Sequence, residues 1–138
     1  MIYPKKGDVI VADAEPHSGH EMGGHNPKIG NVRRHYVVMS TTDYNQATHM
    51  FIGMPITTST KYEDNPRYMP ILIPGQSGTG VKGYIVLWQL QNFDFEARNG
   101  KIVNHINEKL LDELQRYVDD IVGWFKSAQN ELFVTLIK

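Results

Sequence analysis

The polar segment between residues 16 and 34 carries several side chains that could move protons or bind a phosphate. It holds three of the six histidines, a glutamate and, at its end, two adjacent arginines. Its glycines and prolines predict an irregular loop, and a loop this long in a small domain is usually functional or disordered. The candidate side chains are His17, His20, Glu21, His25, Arg33 and Arg34.

Residue types alone leave three interpretations of this loop open. The histidines and Glu21 offer the nitrogen and oxygen ligands of a metal site, but the intervening glycines disfavour the helix that their spacing needs. The second interpretation is a solvated connection without a ligand. In the third, the loop serves phosphoryl chemistry, in which a guanidinium pairs with a phosphate and a histidine or hydroxyl moves a proton.

The two arginines differ in how firmly the chain is expected to hold them. Arg34 stands where a predicted strand begins, so its backbone is expected to be more rigid than the loop before it. A cation already aimed at a developing negative charge avoids reorganisation during the reaction, and losing such a donor can cost about 3 kcal/mol of barrier. Either arginine could instead form a surface ion pair, and residue type does not say whether Arg33 or Arg34 points inward.

Composition predicts one ordinary globular domain that spans residues 1–138. Hydrophobic residues make up 41% of the chain, charged residues 21%, and the net charge is -1. Neither disorder nor a large basic face for duplex DNA is expected from these values. The absence of cysteine excludes disulfides and thiolate metal sites. Because no signal-peptide pattern follows Met1 and no apolar run reaches the roughly 20 residues of a membrane span, we expect a cytoplasmic protein without membrane contact.

Hydrophobic patterning predicts a mostly β domain that ends in an amphipathic helix. Apolar, β-branched runs separated by turn residues indicate five strands before residue 93, and Lys101 to His105 indicates a sixth. The five are Asp8 to Ala14, His35 to Ser40, His49 to Thr58, Arg67 to Ile73 and Tyr84 to Asn92. After Asn107, a residue type suited to an N-cap, apolar residues recur at helical spacing as far as Phe125. The pattern of Leu132 to Ile137 fits either a strand or a helical extension.

Four blocks of residues, in this order, resemble the MazF/PemK toxins of toxin-antitoxin systems. The blocks are Lys6-Gly7-Asp8-Val9; Glu15-Pro16 with Gly19-His20-Glu21-Met22-Gly23-Gly24; Arg33-Arg34-His35-Tyr36-Val37-Val38-Met39-Ser40; and Asp43-Tyr44-Asn45-Gln46-Ala47-Thr48 with Pro55-Ile56-Thr57-Thr58-Ser59. A weaker block runs from Gln89 to Arg98. There Trp88 stands where the family often has an acid, and Gln91 stands where it often has a basic residue. The resemblance covers residues from about 5 to 126.

The resemblance implies an SH3-like small β barrel of the CcdB/MazF/PemK type with a C-terminal helix, acting as a homodimer. It implies sequence-selective cleavage of single-stranded RNA, including mRNA, without a metal or cofactor, leaving a 2',3'-cyclic phosphate and a 5' hydroxyl. Carried over by motif, Arg34 and Thr57 take the catalytic places, and His20 matches a place where some members have a proton-transferring histidine. The places of RNA-contacting residues fall on Glu21, Arg33, Thr58, Ser59 and Gln89.

The resemblance also implies a protein partner and leaves alternative functions open. An antitoxin is expected to cover the RNA groove, and DNA is expected to be contacted only indirectly, through the antitoxin complex. The runner-up is a non-catalytic inhibitor of DNA gyrase with the same fold, as the CcdB toxins are. A third alternative is a degenerate, inactive member. His35 stands where proline is usual, Trp88 and Gln91 also depart from the family pattern, and an insert runs from His25 to Asn31. By residue type alone, Thr57 is also explained as an ordinary strand residue.

Overall fold

The structure of the protein, a computed structural model, describes residues 2–14, 25–26, 30–31 and 33–123, with the backbone alone at 25–26 and 30–31. Several residues singled out in the sequence lie outside the described residues: His17, His20, Glu21, Phe125 and the segment Leu132 to Ile137. In the described part, no helix is long and apolar enough to cross a membrane.

Nine strands and two helices form in the described residues. The strands are β1 (Asp8–Asp13), β2 (His25–Asn26), β3 (Gly30–Asn31), β4 (Arg33–Val38), β5 (Met50–Thr57), β6 (Tyr68–Ile73), β7 (Val81–Val86), β8 (Gln91–Asp94) and β9 (Lys101–His105), and the helices are α1 (Thr42–Thr48) and α2 (Glu108–Val122). One turn of 3₁₀ helix, Thr60–Tyr62, follows β5.

Seven of the strands form one antiparallel sheet that curls into half a barrel. Its hydrogen-bonded order is β6-β7-β5-β4-β1-β9, and β8 pairs with the first half of β5. Strand β5 therefore changes neighbours along its length, from β8 at Met50 to Gly53 to β7 at Ile56 and Thr57. A cavity of about 440 Å³ separates β6 from the end of β9 and the start of α2. This arrangement leaves the end of β5 enclosed between β4 and β7.

One face of the sheet packs against α2. Strand side chains alternate between faces, so Val9, Val37 and Met54, which are paired across three neighbouring strands, share one face. All three are fully buried in one cluster with Leu114 of the helix. Burial of this apolar area is the main force that holds the helix to the sheet.

The boundaries of α2 follow from capping groups at each end. The helix begins after Asn107, whose side-chain oxygen accepts a 2.8 Å hydrogen bond from the backbone N–H of Leu110, as predicted for an N-cap. It ends at Gly123, whose φ of 76° is the left-handed conformation that glycine adopts most easily.

The other face of the sheet carries a second, aromatic cluster. Ile10 and Tyr36 are paired on β1 and β4, and both are fully buried in this cluster. The ring of Tyr36 meets those of Phe51 and Phe93 edge-on, at centroid distances of 5.8 Å and 5.6 Å. This packing holds in place the part of β4 that directly follows Arg33 and Arg34.

The predicted mostly β fold with a C-terminal helix is confirmed, and five of the six predicted strands match single observed strands to within a few residues. The prediction for Tyr84 to Asn92 was wrong in one respect. Instead of one strand, the chain forms β7 and β8 with a turn between them, and β8 folds back onto β5. Apolar residues continue through the turn because Leu87 is core, so the pattern alone shows no break.

Helix α1 was not predicted. Thr41 caps it by accepting a 3.2 Å hydrogen bond from the N–H of Tyr44, and Asn45 is fully buried within it. The Asn45 amide donates a 2.8 Å hydrogen bond to the carbonyl of Pro4, far away in sequence. Because that tertiary contact stabilises so short a helix, local sequence gives little sign of it.

Candidate active site

Arg34 and Thr57 stand one position beyond the last pair that joins β4 and β5. The two strands pair His35 with Ile56 and Tyr36 with Pro55. Extending that register by one position sets Arg34 opposite Thr57, at the end of both strands. Residues directly opposite in an antiparallel pair point to the same face, with Cβ atoms about 4.5–5.5 Å apart. The two predicted catalytic residues therefore share one face of the sheet at one edge of the aromatic cluster.

Arg33 is held on the other side of β4. Its Nη1 lies 2.8 Å from Oδ1 of Asp13, its strand partner on β1, and its Nη2 donates a 2.8 Å hydrogen bond to the carbonyl of Asn99. Asn99 in turn donates a 2.7 Å hydrogen bond from its side chain to the second oxygen of Asp13. Neighbouring residues on a strand face opposite sides, so this network points Arg33 away from the face that Arg34 occupies.

The Asp13 carboxylate is well suited to anchor Arg33. The hydrogen bond from Asn99 lowers the pKa of Asp13 below its ordinary value, and the hydrogen bond and positive charge of Arg33 act in the same direction against a partly opposing effect of burial. The carboxylate is therefore fully charged near neutral pH. Sequence analysis missed both Asp13 and Asn99, because nothing local links them to the arginine.

Arg34 has a different environment. Its side chain is half-buried, and its Nε is enclosed without a hydrogen-bond partner in the part of the chain that the structure describes. A buried donor that lacks a partner costs free energy. A phosphate group, with several acceptor oxygens, would satisfy such a guanidinium through paired hydrogen bonds.

Thr57 is held in place from two sides. It is 4% exposed, and its Oγ1 accepts a 3.3 Å hydrogen bond from the N–H of Ser59. On the other side Thr57 pairs with Tyr84 of β7. The neighbouring Gly83 approaches so closely that a Cβ there would clash with the Thr57 carbonyl oxygen. The Thr57 hydroxyl hydrogen is not used by these contacts, so it can be donated to an anionic oxygen.

The predicted RNA-contacting residues after β5 differ in exposure. Thr58 is exposed and Ser59 is half-buried, so both lie at the surface beside Thr57. Gln89 is buried at 8% exposure in the turn between β7 and β8.

Glu21 and His20 lie outside the described residues. Arg33, predicted as a further RNA contact, is engaged with Asp13.

Two departures from the family pattern have packing roles in the same turn. Trp88 meets Tyr68 edge-on at 6.4 Å, and Tyr68 stacks on Tyr62 at 3.9 Å. Gln91 is 7% exposed at the start of β8, where it pairs with Gly53. Trp88 therefore packs against β6, and Gln91 lies where β8 pairs with β5.

His35, the third departure, faces away from Arg34. It follows Arg34 on β4, so its side chain lies on the opposite face of the sheet, opposite Ile56. Burial lowers the pKa of His35 below 6.5, and the nearby charge of Arg33 lowers it further. The neutral form of the imidazole is therefore favoured, and its side chain lies away from the Arg34 face.

The insert from His25 to Asn31 contains a short hairpin. Strands β2 and β3 pair His25 with Asn31 and Asn26 with Gly30. Within residues 2–14 and 33–123, no group of three or more histidine and carboxylate side chains is arranged to hold a metal ion. The residues of the metal interpretation, His17, His20, Glu21 and His25, have no described side chain.

Comparison with known sequences identifies the family. A sequence model described as "PemK-like, MazF-like toxin of type II toxin-antitoxin system" matches residues 5–122. The chain is 25% identical over 120 residues to the endoribonuclease toxin MazF of Escherichia coli strain K12, covering 87% of this chain and 95% of that protein. It is 20% identical over 112 residues to the endoribonuclease PemK of Escherichia coli, covering 80% and 75% of the two chains.

Solved structures share the fold. The crystal structure of MazF from Deinococcus radiodurans matches with a TM-score of 0.68 at 23% identity, covering 88% of this chain and 97% of that one. A MazE-MazF complex from the same organism matches with a TM-score of 0.64 at 22% identity, covering 87% and 96%. With the family match extending over most of its length, the chain belongs to the PemK/MazF family of toxins of type II toxin-antitoxin systems.

Proposed function

We propose that the protein is an endoribonuclease toxin that cuts single-stranded RNA, including mRNA, at the Arg34 and Thr57 pair. The observation that carries the proposal is the different environment of the two arginines. Asp13 engages Arg33, whereas Arg34 has a buried Nε without a partner among the described residues, and the β4–β5 register, continued by one position, sets it opposite Thr57. The names of the Escherichia coli relatives, endoribonucleases MazF and PemK, support the same activity.

In the proposed reaction the RNA supplies its own nucleophile. The 2' oxygen attacks the adjacent phosphorus and loses its proton, the bond from phosphorus to the 5' oxygen breaks, and that oxygen gains a proton. The products are a 2',3'-cyclic phosphate and a 5' hydroxyl. No metal-activated water is required, because the attacking hydroxyl is already next to the phosphorus and the protein needs only to align it.

The protein's part is charge stabilisation and proton transfer. Arg34 binds the phosphate and stabilises the negative charge that grows on its oxygens in the transition state. Thr57 donates a hydrogen bond to one of those oxygens. His20, whose ordinary pKa lies near neutrality, takes or returns the proton. Thr58 and Ser59 contact the RNA beside Thr57, and Glu21 and Gln89 complete the predicted contacts.

The proposed assembly is a homodimer that an antitoxin inhibits. Solved relatives from Deinococcus radiodurans and from a mycobacterial species are described as complexes of a MazF or endoribonuclease with its antitoxin. An antitoxin that covers the Arg34 face would block RNA, and it would bring this protein to DNA only indirectly. The mRNA substrate places the activity in the cytoplasm.

The test uses purified protein and a pool of single-stranded RNA of mixed sequence in excess EDTA. The proposal predicts cutting at defined sequences, with cyclic phosphate and 5' hydroxyl ends identified by mass spectrometry. Cutting that appears only when zinc is added would contradict it and favour the loop histidines as ligands. Absence of cutting, combined with inhibition of DNA gyrase in a supercoiling assay, would favour a CcdB-like inhibitor instead.

A further inference from the structure

We propose that a cleft beside Thr57 binds the base of one nucleotide next to the scissile phosphate, and that Tyr84 and Lys82 in this cleft help to select the RNA sequence. The proposal rests on the proposed function, since it assigns the part of the same site that reads the substrate. It adds residues of β6 and β7 that the family motifs do not mark.

The register of the sheet places the cleft next to the proposed catalytic pair. Thr57 pairs with Tyr84 on β7, and Tyr84 pairs with Pro70 on β6. Residues directly opposite share a face, so a row of side chains runs from Arg34 through Thr57 and Tyr84 to Pro70 across four strands. Adjacent strands are about 4.8 Å apart, so Tyr84 lies within one nucleotide's reach of a phosphate bound at Thr57.

The cleft has the size of a small-ligand site. Its volume is about 580 Å³, within the range of about 300–1,000 Å³ that is usual for such sites. The residues that line it come from the segment after β5 and from β6 and β7, and they are Thr58, Thr60, Pro70, Ile71, Leu72, Lys82, Gly83 and Tyr84. Thr58 follows Thr57 directly in sequence, so the cleft adjoins the proposed catalytic site.

The chemistry of the lining suits a nucleotide. The half-buried ring of Tyr84 and the side chain of Leu72, 73% exposed, offer apolar surface against which a base can stack. The exposed hydroxyls of Thr58 and Thr60 can donate and accept hydrogen bonds at a base edge. Lys82 of β7 pairs with Leu72 of β6 and is exposed, so it can supply a positive charge for a flanking phosphate.

A base explains this combination better than a protein segment does. An apolar partner would explain Leu72 and Pro70, but not a lysine and two threonine hydroxyls at the same cleft. A nucleotide combines a planar base, polar base edges and a charged phosphate, so it uses the apolar surface, the hydroxyls and the lysine together. The next phosphate along the RNA would lie at Arg34. The same strip of the sheet thus serves both the phosphate and the base.

The experiment measures RNA binding and sequence preference together. The wild-type protein and the variants Tyr84→Leu, Tyr84→Phe and Lys82→Gln are compared by fluorescence anisotropy. The probe is a panel of oligoribonucleotides carrying one 2'-deoxy nucleotide at the cut position, which prevents cleavage, with each of the four bases placed on either side. Lys101→Gln, on the far edge strand β9, is the matched charge control. Thermal unfolding confirms that each variant is folded.

Loss of the stacking surface is expected to weaken binding of the preferred oligonucleotide about 5- to 150-fold in Tyr84→Leu, because base stacking on an aromatic ring has this range of effects. The preference at one position should disappear, whereas Tyr84→Phe should keep it. Lys82→Gln should weaken binding with a smaller salt dependence, and Lys101→Gln should not.

Two results would overturn the inference while leaving the proposed function intact. One is that Tyr84→Leu and Lys82→Gln both keep the RNA affinity and the base preference of the wild type. The other is unchanged RNA binding in these variants together with lost antitoxin binding or self-association, which would assign the cleft to a protein partner. Failure of the wild-type protein to bind any oligonucleotide would reject the proposed function and this inference together.

Discussion

Arg33 lies 2.8 Å from Asp13 across the β4 and β1 pair, and this contact distinguishes Arg33 from the adjacent Arg34, which residue type alone does not do. The alternation of side chains along a strand then sends Arg34 to the opposite face, where the register of β5 brings Thr57. The first arginine is anchored by a carboxylate, and we propose that the second binds an external anion.

The Thr57 hydroxyl is expected to be required for cutting. Thr57→Val keeps the shape and strand preference of the side chain but removes the hydrogen-bond donor, so single-turnover cleavage should fall roughly 100-fold. Loss of the hydrogen bond from Ser59 should cost only about 1 kcal/mol of stability. Thr57→Ser, which keeps the hydroxyl, is the control and should stay within roughly tenfold of wild type. If Thr57→Val cuts RNA at the wild-type rate, the Thr57 hydroxyl has no catalytic role and Thr57 is an ordinary strand residue.

Gly83 is expected to be essential for the spacing of β5 and β7. In Gly83→Ala the new methyl group would clash with the Thr57 carbonyl oxygen, so the strands must separate where they support the site. Overpacking of this kind should lower the free energy of unfolding by about 1–3 kcal/mol and slow RNA cleavage as well. Gly80→Ala is the matched control, because its nearest contacts would be ordinary ones at 3.6 Å. Equal urea unfolding curves for Gly83→Ala and Gly80→Ala would show that β7 accommodates a methyl group at Gly83 without moving away from β5.

Stability should fall in mild acid because of His35. Burial lowers the pKa of this imidazole below 6.5 in the folded protein, so the unfolded chain binds a proton more readily. The contribution of neutral His35 is therefore complete above pH 6.5 and decreases as the pH falls from 6.5 toward the lowered pKa.

The measurement compares unfolding midpoints at pH 7.5 and pH 5.5 for wild type and His35→Gln. The wild type is expected to lose more stability than the variant between the two, and the comparison cancels the other titrating groups. An identical pH dependence in both proteins would contradict a buried, neutral His35.

The elements that the sequence predicted are those that local pattern determines. Helix α2 follows from its apolar spacing and from Asn107 as its cap, and β1 and β9 follow from short β-branched runs. Helix α1 was missed because its stability depends on buried Asn45 and on the distant carbonyl of Pro4. Local helix propensity does not reflect a hydrogen bond between residues so far apart in sequence.

The site was predictable in part for the same reason. Motif resemblance pointed to Arg34 and Thr57, and the strand register supports their proximity. The choice between the arginines depends on Asp13 and Asn99, which lie 20 and 66 residues from Arg33 in sequence. Tyr84 is placed beside Thr57 only by the pairing of β5 with β7. Such relationships arise from the assembled sheet, and no local pattern encodes them.

Arg34, and not Arg33, is proposed to act on the scissile phosphate. The most direct test of this role is the single-turnover rate of RNA cleavage in EDTA by Arg34→Ala and Arg33→Ala, each with a measured unfolding midpoint. Arg34→Ala is predicted to cut at least roughly 100-fold more slowly than wild type while remaining stable. Arg33→Ala is predicted to unfold more easily, because it removes the ion pair with Asp13 and the hydrogen bond to the Asn99 carbonyl, and to keep most of the cleavage rate when folded. The reverse pattern, with folded Arg33→Ala inactive and Arg34→Ala active, would assign the catalytic role to Arg33 instead.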